Sequence, residues 1–250
     1  MYPVLFRIGS FEITSFGVLV AVAALVGIWL FGRELARSGL PRDTVDAAMF
    51  GVSGGLVGAK LLWTVEFLGD QPVRDLLFSR GGLSWFGGLI GGVGTGLWIL
   101  RRRRVPIVRA LAAATPSLAI GHAIGRVGCF LVGDDYGRPS NVPWAVAFPE
   151  GLPPTIVPVH PTQVYEAIVL AAIAAVLLRW RRAGVSDAHV LGRYFVLAGS
   201  TRFAIEFIRV NAAVLGPFTL AQSISFVLVT VGVVIILRHR TRAMARLEEA

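Results

Sequence analysis

The chain has 250 residues, 55% of them hydrophobic and only 16% charged, against about 45–50% and about 25% in soluble domains, which excludes an ordinary water-soluble domain and makes the lipid bilayer the expected solvent. Its 24 basic residues outnumber 15 acidic ones for a net charge of +9, but the arginines cluster just after long apolar runs, as in cytoplasmic loops of membrane proteins, so no nucleic-acid partner is expected. Cys129 is the single cysteine, which excludes an intramolecular disulfide and a multi-cysteine zinc site.

Residues 13–32 carry no charge, and at about 1.5 Å per residue they make about 30 Å of helix, enough for a first membrane span. The leader Met1 to Glu12 holds one arginine and one glutamate with no small-residue cleavage site after it, so a cleaved signal is not expected. A second span is predicted at 45–68, interrupted by Lys60 and Glu66 and studded with Gly51, Gly54, Gly55 and Gly58. The third, 83–100, is closed by Arg101 to Arg104; the fourth, 107–132, contains Arg126; the fifth, 162–178, ends at Arg179, Arg181 and Arg182. The sixth, 190–208, encloses Arg202 and Glu206, and the seventh, 220–237, ends at Arg238, Arg240 and Arg242. With no linker, low-complexity block or internal repeat, residues 1–250 read as one polytopic domain, an all-α integral membrane protein of seven transmembrane helices.

Basic residues set its orientation. Only Arg7, Arg74, Arg80, Arg138 and Arg209 fall on one side, the clusters named above with Arg33, Arg37, Arg42, Arg109, Arg193 and Arg246 fall on the other, and the basic side is cytoplasmic by the positive-inside rule. The N-terminus is then periplasmic and the C-terminus cytoplasmic. Two longer outer segments, 69–82 and 133–159, are expected, and the six prolines of the second preclude a regular helix or central strand there. It is read as a small irregular extracytoplasmic cap, with Trp144 and Phe148 placed at the headgroup level.

An arginine at the bilayer centre costs about 2.5–3.5 kcal/mol on insertion scales, so Arg126, Arg202 and Lys60 should face the bundle interior or a wet cavity. Arg202, Glu206 and Arg209 stand at i, i+4 and i+7, on one helix face. Glu206 can simply neutralise Arg202. That leaves Arg126 and Lys60 in want of an anion, with Asp134 and Asp135 following Arg126; a phosphate would complete the balance, because guanidinium forks bind phosphate oxygens bidentately. A phospholipid headgroup is the anion available at that depth. The glycines at 87, 88, 91 and 92, and at 121 and 125, read either as close helix packing or as backbone room for lipid. His160 before Pro161 reads as a helix start, and His122 as a hydrogen-bonded bundle histidine. No phosphate loop, HExxH or serine-elbow motif is present.

Five stretches carry a resemblance. They are Ser84-Trp85-Phe86-Gly87-Gly88-Leu89-Ile90-Gly91; Gly125-Arg126-Val127-Gly128-Cys129-Phe130 running on to Gly133-Asp134-Asp135-Tyr136-Gly137-Arg138-Pro139; His160-Pro161-Thr162-Gln163-Val164-Tyr165-Glu166; Arg202-Phe203 with Glu206-Phe207-Ile208-Arg209; and Thr219-Leu220-Ala221-Gln222. In this order they resemble the bacterial prolipoprotein diacylglyceryl transferases across nearly the whole chain, the Gly-Arg to Tyr-Gly block being the most specific. The resemblance implies a multi-pass inner-membrane enzyme that moves the diacylglyceryl group of phosphatidylglycerol onto the lipobox cysteine thiol of a preprolipoprotein and releases glycerol phosphate, with no metal or cofactor. It puts the phosphate-binding arginine on Arg126, a second essential arginine on Arg202 and its carboxylate partner on Glu206, with Gly87, Gly88, Gly137, Gln163, Tyr165 and Glu166 as substrate-binding candidates, to which Lys60 is added as an intramembrane cation. Asp134 stands where the family usually has glutamate, Phe86 where it has the histidine favoured as thiol base, Phe16 and Ala198 where it has tyrosines, and Cys129 where it has asparagine.

The chemistry needs a thiolate, and nearby cations favour thiolate over thiol. Arg126 and Arg202 can supply that field and stabilise the departing phosphate. The ionisable candidates for the proton acceptor are His160, Asp134 and Glu206. Two further readings use the same residues: a non-catalytic or altered-substrate relative that binds anionic phospholipid, and a transporter, against which stands the lack of paired broken helices in two similar halves.

Overall fold

A computed structural model describes residues 2–9, 11–79, 82–211, 213–214 and 216–248. Arg80 lies outside the described residues, as do the side chains of Trp85, Arg242 and Arg246. Among them the chain forms β1 (Val4–Ile8), β2 (Phe11–Thr14), α1 (Ser15–Arg37), α2 (Asp46–Glu66), α3 (Val73–Phe78), α4 (Trp85–Arg102), α5 (Ile107–Val132), β3 (Val146–Phe148), β4 (Thr155–Val159), α6 (Thr162–Arg182), α7 (Asp187–Glu206) and α8 (Leu220–Glu248).

Seven long helices lie on the seven apolar runs, but several run past them: α1 reaches Arg37, α6 Arg182 and α8 Glu248. Hydropathy marks where the hydrocarbon ends, while Arg and Glu are good helix formers and let the backbone continue into water. The sixth run is shifted the other way, α7 ending at Glu206 with Phe207 to Arg209 in tight turns. Among the described residues five helices are long and apolar enough to cross a membrane: α1, α2 with the single turn before it, α5, α6 and α8. In α4 the glycines and two terminal arginines dilute the hydropathy, and in α7 Asp187, Arg193, Arg202 and Glu206 do so.

Two compact units are present, residues 28–110 and residues 1–27 with 111–250. In the first, α2 and α4 run antiparallel, their glycines meeting: Gly54 and Gly58 face Gly91 and Gly87, and a methyl group at Gly58, Gly87 or Gly91 would strike opposing backbone. Close approach also lets Thr95 Oγ1 donate to the Phe50 carbonyl at 3.1 Å. Lys60 Nζ donates to the Ser79 carbonyl (2.9 Å) and hydroxyl (2.8 Å) and lies 4.5 Å from the Trp63 ring centroid. This corrects the expectation that Lys60 wants an anion, since loop oxygens and a ring face solvate it.

The second unit has a core of Ala112, Ala119, Ile173, Ala174, Leu177, Val190 and Leu191 from α5, α6 and α7. Here α5 passes through Pro116, which cannot donate to the Ala112 carbonyl; Thr115 Oγ1 donates to it instead at 2.9 Å. On α7 Gly192 faces Gly232 of α8, and the backbones meet there without side chains between them. The cap is less irregular than expected. β3 and β4 pair antiparallel, and Pro158 is tolerated because both strands of a two-stranded ribbon are edges. Phe148 is fully buried, stacked on Tyr136 at 5.5 Å and edge-on to Phe130 at 5.7 Å, and not at a headgroup surface; Trp144 is exposed.

Candidate active site

The site assembles where α5 ends. Gly133 takes φ +72°, its N–H bonds back to the Cys129 carbonyl at 2.9 Å, and the helix stops. Asp135 also takes a left-handed φ of +59°, a conformation aspartate tolerates better than most residues. The first turn of α6 clamps this corner. Gln163 Nε2 donates to the Asp134 carbonyl at 2.5 Å and Thr162 Oγ1 to the Asp135 carbonyl at 2.8 Å.

Around that corner three arginines and three carboxylates alternate in a closed ring. Asp135 gives Oδ2 to Arg126 Nη1 at 2.7 Å and Oδ1 to Arg209 Nη2 at 2.5 Å. Arg209 Nε faces Glu206 Oε2 at 3.7 Å, and the same oxygen meets Arg202 Nη2 at 2.9 Å. Arg202 Nη1 lies 3.4 Å from Glu166 Oε1, and Glu166 Oε2 closes the ring against Arg126 Nε. The charges cancel, which corrects the expectation of an unpaired Arg126: Glu166 and Asp135 are its anions. Burial is uneven, Glu166 and Glu206 side chains being 2% and 0% exposed but Asp135 44%.

Arg126, Arg202 and Glu206 are thus brought together as the sequence expects, and Glu166, expected at the substrate, links the two arginines. Gly137 sits where any side chain would strike the Ile208 carbonyl and His160, and so lets residues 137–138 pair with 208–209. Asp134 stays out of the ring with Oδ1 buried and without a hydrogen-bond partner among the described residues. His160 lies outside the ring as well: its Nδ1 is 3.3 Å from the Tyr165 hydroxyl, which accepts from Trp144 Nε1 at 2.6 Å. Gly87, Gly88 and Lys60 belong to the other unit, where they build the α2–α4 seam and the Ser79 contact. The sequence reading missed Arg209 and Asp135 as ring members, although Arg209 was on the right face and Asp135 next in line.

The adjacent aspartates are driven apart. Burial raises the Asp134 carboxyl above its ordinary value, Asp135 adding to this against the Cys129 thiol. Burial acts the same way on Asp135, but hydrogen bonds from Arg209 and Arg126 overcome it and hold that carboxyl at about 2. Cys129, Asp134 and Asp135 come within 4.8 Å of one another, a spacing that could take a metal ion. Arg126 Nη1, 3.7 Å from the Cys129 sulfur and bonded to Asp135, already supplies the cation there. A cavity of about 320 Å³, lined by Asp135, Tyr136, Leu152, Pro153, Arg209 and Asn211, opens on the outer edge of the ring.

Known proteins are similar to this chain over nearly its whole length. The family model described as prolipoprotein diacylglyceryl transferase matches residues 3–238. A phosphatidylglycerol-prolipoprotein diacylglyceryl transferase of Geobacter sulfurreducens is 31% identical over 248 residues, covering 92% of each chain. Proteins of the same name from Bacillus anthracis and Bacillus cereus are each 30% identical over 253 residues, covering 96% of this chain and 92% of theirs.

Proposed function

The chain belongs to the prolipoprotein diacylglyceryl transferase family, and from that premise we propose that it transfers the diacylglyceryl group of phosphatidylglycerol to the lipobox cysteine thiol of preprolipoproteins. The observation that carries the reading is the buried arginine ring, built on the motif residues of a chain that the family matches almost end to end. A lipid-binding relative without turnover and a transporter have no comparable support.

Arg126 and Arg202 bind the phosphodiester, Glu166 holding both in place. The thiol gives its proton to Asp134, whose raised affinity for protons suits a base better than the strongly paired Asp135 does. The thiolate attacks the glyceryl carbon, the S–C bond forms as the C–O bond to phosphate breaks, and the electron pair leaves on the phosphate oxygen of glycerol phosphate. That oxygen gains charge as it departs, so the guanidinium donors stabilise the transition state more than the bound lipid. The proton on Asp134 can then pass to the released phosphate.

In this reading all seven long helices cross the bacterial inner membrane, with the N-terminus, the cap and the arginine ring on the periplasmic side. Gly137 shapes the phosphate corner, Gln163 holds that corner in place, and Tyr165 binds substrate beside it. The test is mass spectrometry of a synthetic lipobox peptide incubated with purified protein and phosphatidylglycerol. A diacylglyceryl mass gain on the cysteine is expected, absent with Arg126→Ala; a folded protein that yields no gain overturns the assignment.

A further inference from the structure

The three ring carboxylates are not equivalent. Glu166 and Glu206 lie on helices α6 and α7 and are sealed from solvent, whereas Asp135 lies on the loop after α5, is 44% exposed, and lines the cavity with Arg209. The ring is already neutral, so an added anion would leave it with one excess negative charge in a poorly solvated place. A carboxylate must give way, and the one whose charge water can take up is the one that leaves at least cost. Its two oxygens are spread over two guanidinium groups, Oδ2 on Arg126 at 2.7 Å and Oδ1 on Arg209 at 2.5 Å. Phosphoester oxygens make the same forked contacts.

We infer that Arg126 and Arg209 form a two-arginine anion site whose occupant in this structure is the chain's own Asp135, and that a phosphoester entering by the cavity exchanges with that carboxylate. The inference rests on the reading of Arg126 as the phosphate ligand and adds two things to it. Arg209 becomes a binding residue, and Asp135 an internal competitor that keeps the arginines paired and oriented between turnovers. Exchange also favours anionic headgroups, since the extra cation of a zwitterionic one is repelled by the two arginines that the phosphate would occupy.

The experiment measures binding of phosphatidylglycerol, in nanodiscs of phosphatidylcholine, and of sn-glycerol 1-phosphate and inorganic phosphate to the full chain. Removing one competing charge-assisted contact should tighten binding by about tenfold in Asp135→Asn. Asp135→Ser is made alongside it, so that misfolding of one variant leaves the other. Asp135→Glu, which keeps the charge, should bind within about threefold of the wild type, and Arg209→Gln should bind about tenfold more weakly, having lost one such contact. Tightening for phosphatidylglycerol alone assigns the site to the lipid headgroup; tightening also for the soluble phosphates assigns it to phosphate from either source, and both support the exchange. Unchanged or weaker binding by the Asn and Ser variants overturns it. If Arg126→Ala still abolishes binding in that case, the phosphate assignment survives and only the exchange falls; if Arg126→Ala binds as the wild type does, the assignment itself falls.

Discussion

At the residue scale, the identity of the main cations was legible because charged residues in apolar runs are costly and must be kept for a reason. Their partners were less legible. Glu166 precedes Arg202 by 36 residues and meets Arg126 from another helix, and nothing in local spacing encodes such an encounter. The ring predicts a stability cost for Glu166→Gln of about 3 kcal/mol, the lower end for a broken buried pair, because Arg126 keeps Asp135 and Arg202 keeps Glu206. At about 2–4 °C per kcal/mol for a chain of this size, thermal unfolding in detergent should fall by about 6–12 °C; an unshifted transition would show that the pairing is not stabilising. The two aspartates predict opposite acid responses. Asp135 is held below its unfolded value, so its stabilising contribution is full above about pH 4 and is lost as pH falls toward about 2. Asp134 is raised, so ionising it costs stability at higher pH, and as the proton acceptor it should impose an acid limb on kcat above the ordinary aspartate range. Asp134→Asn should remove that limb together with most turnover; a profile unchanged in shape would place the base elsewhere.

At the element scale, the seven long helices were legible from runs of about 20 apolar residues, a strong signal. The two hairpins were not, because three to five residues of strand hardly differ from loop, and a two-stranded ribbon depends on what it packs against. β1 and β2 lead directly into α1, and β3 and β4 bury Phe148 within the cap. Sequence leaves the glycines of α4 open between a packing seam and room for lipid, and the structure separates them position by position. Gly91 abuts the Gly54 backbone, while Gly94 has nothing within 4 Å of the place its side chain would occupy. Gly91→Ala should therefore destabilise by about 1–3 kcal/mol through overpacking. Gly94→Ala should stabilise by up to about 1 kcal/mol, as the better helix former. Unfolding of the two variants in one detergent checks the contrast, and equal shifts would mean that the α2–α4 contact is not rigid.

At the scale of the whole molecule, the asymmetry of basic residues argues the orientation more strongly with the structure than without it. Arg209, counted on the outer side from sequence, is drawn into the ring and 6% exposed, so its charge is not presented to the outer surface. In the proposed orientation the periplasmic face thus has fewer free arginines to oppose the clusters on the other side. The decisive element is α7, whose hydropathy is diluted by the same Arg202 and Glu206 that the chemistry uses. If α7 crosses, its ends must be reached from opposite sides of the membrane. With Cys129→Ala removing the native thiol, single cysteines at three exposed positions, Asn141, Ala183 and Val214, report this. A membrane-impermeant maleimide should label Asn141→Cys and Val214→Cys in intact cells and Ala183→Cys only after permeabilisation. Labelling of Ala183→Cys from outside would invert the topology. Protection of Val214→Cys, with Asn141→Cys still labelled, would mean that α7 does not cross and that Arg202 reaches the ring from the cytoplasmic side, which would remove it from a periplasmic reaction.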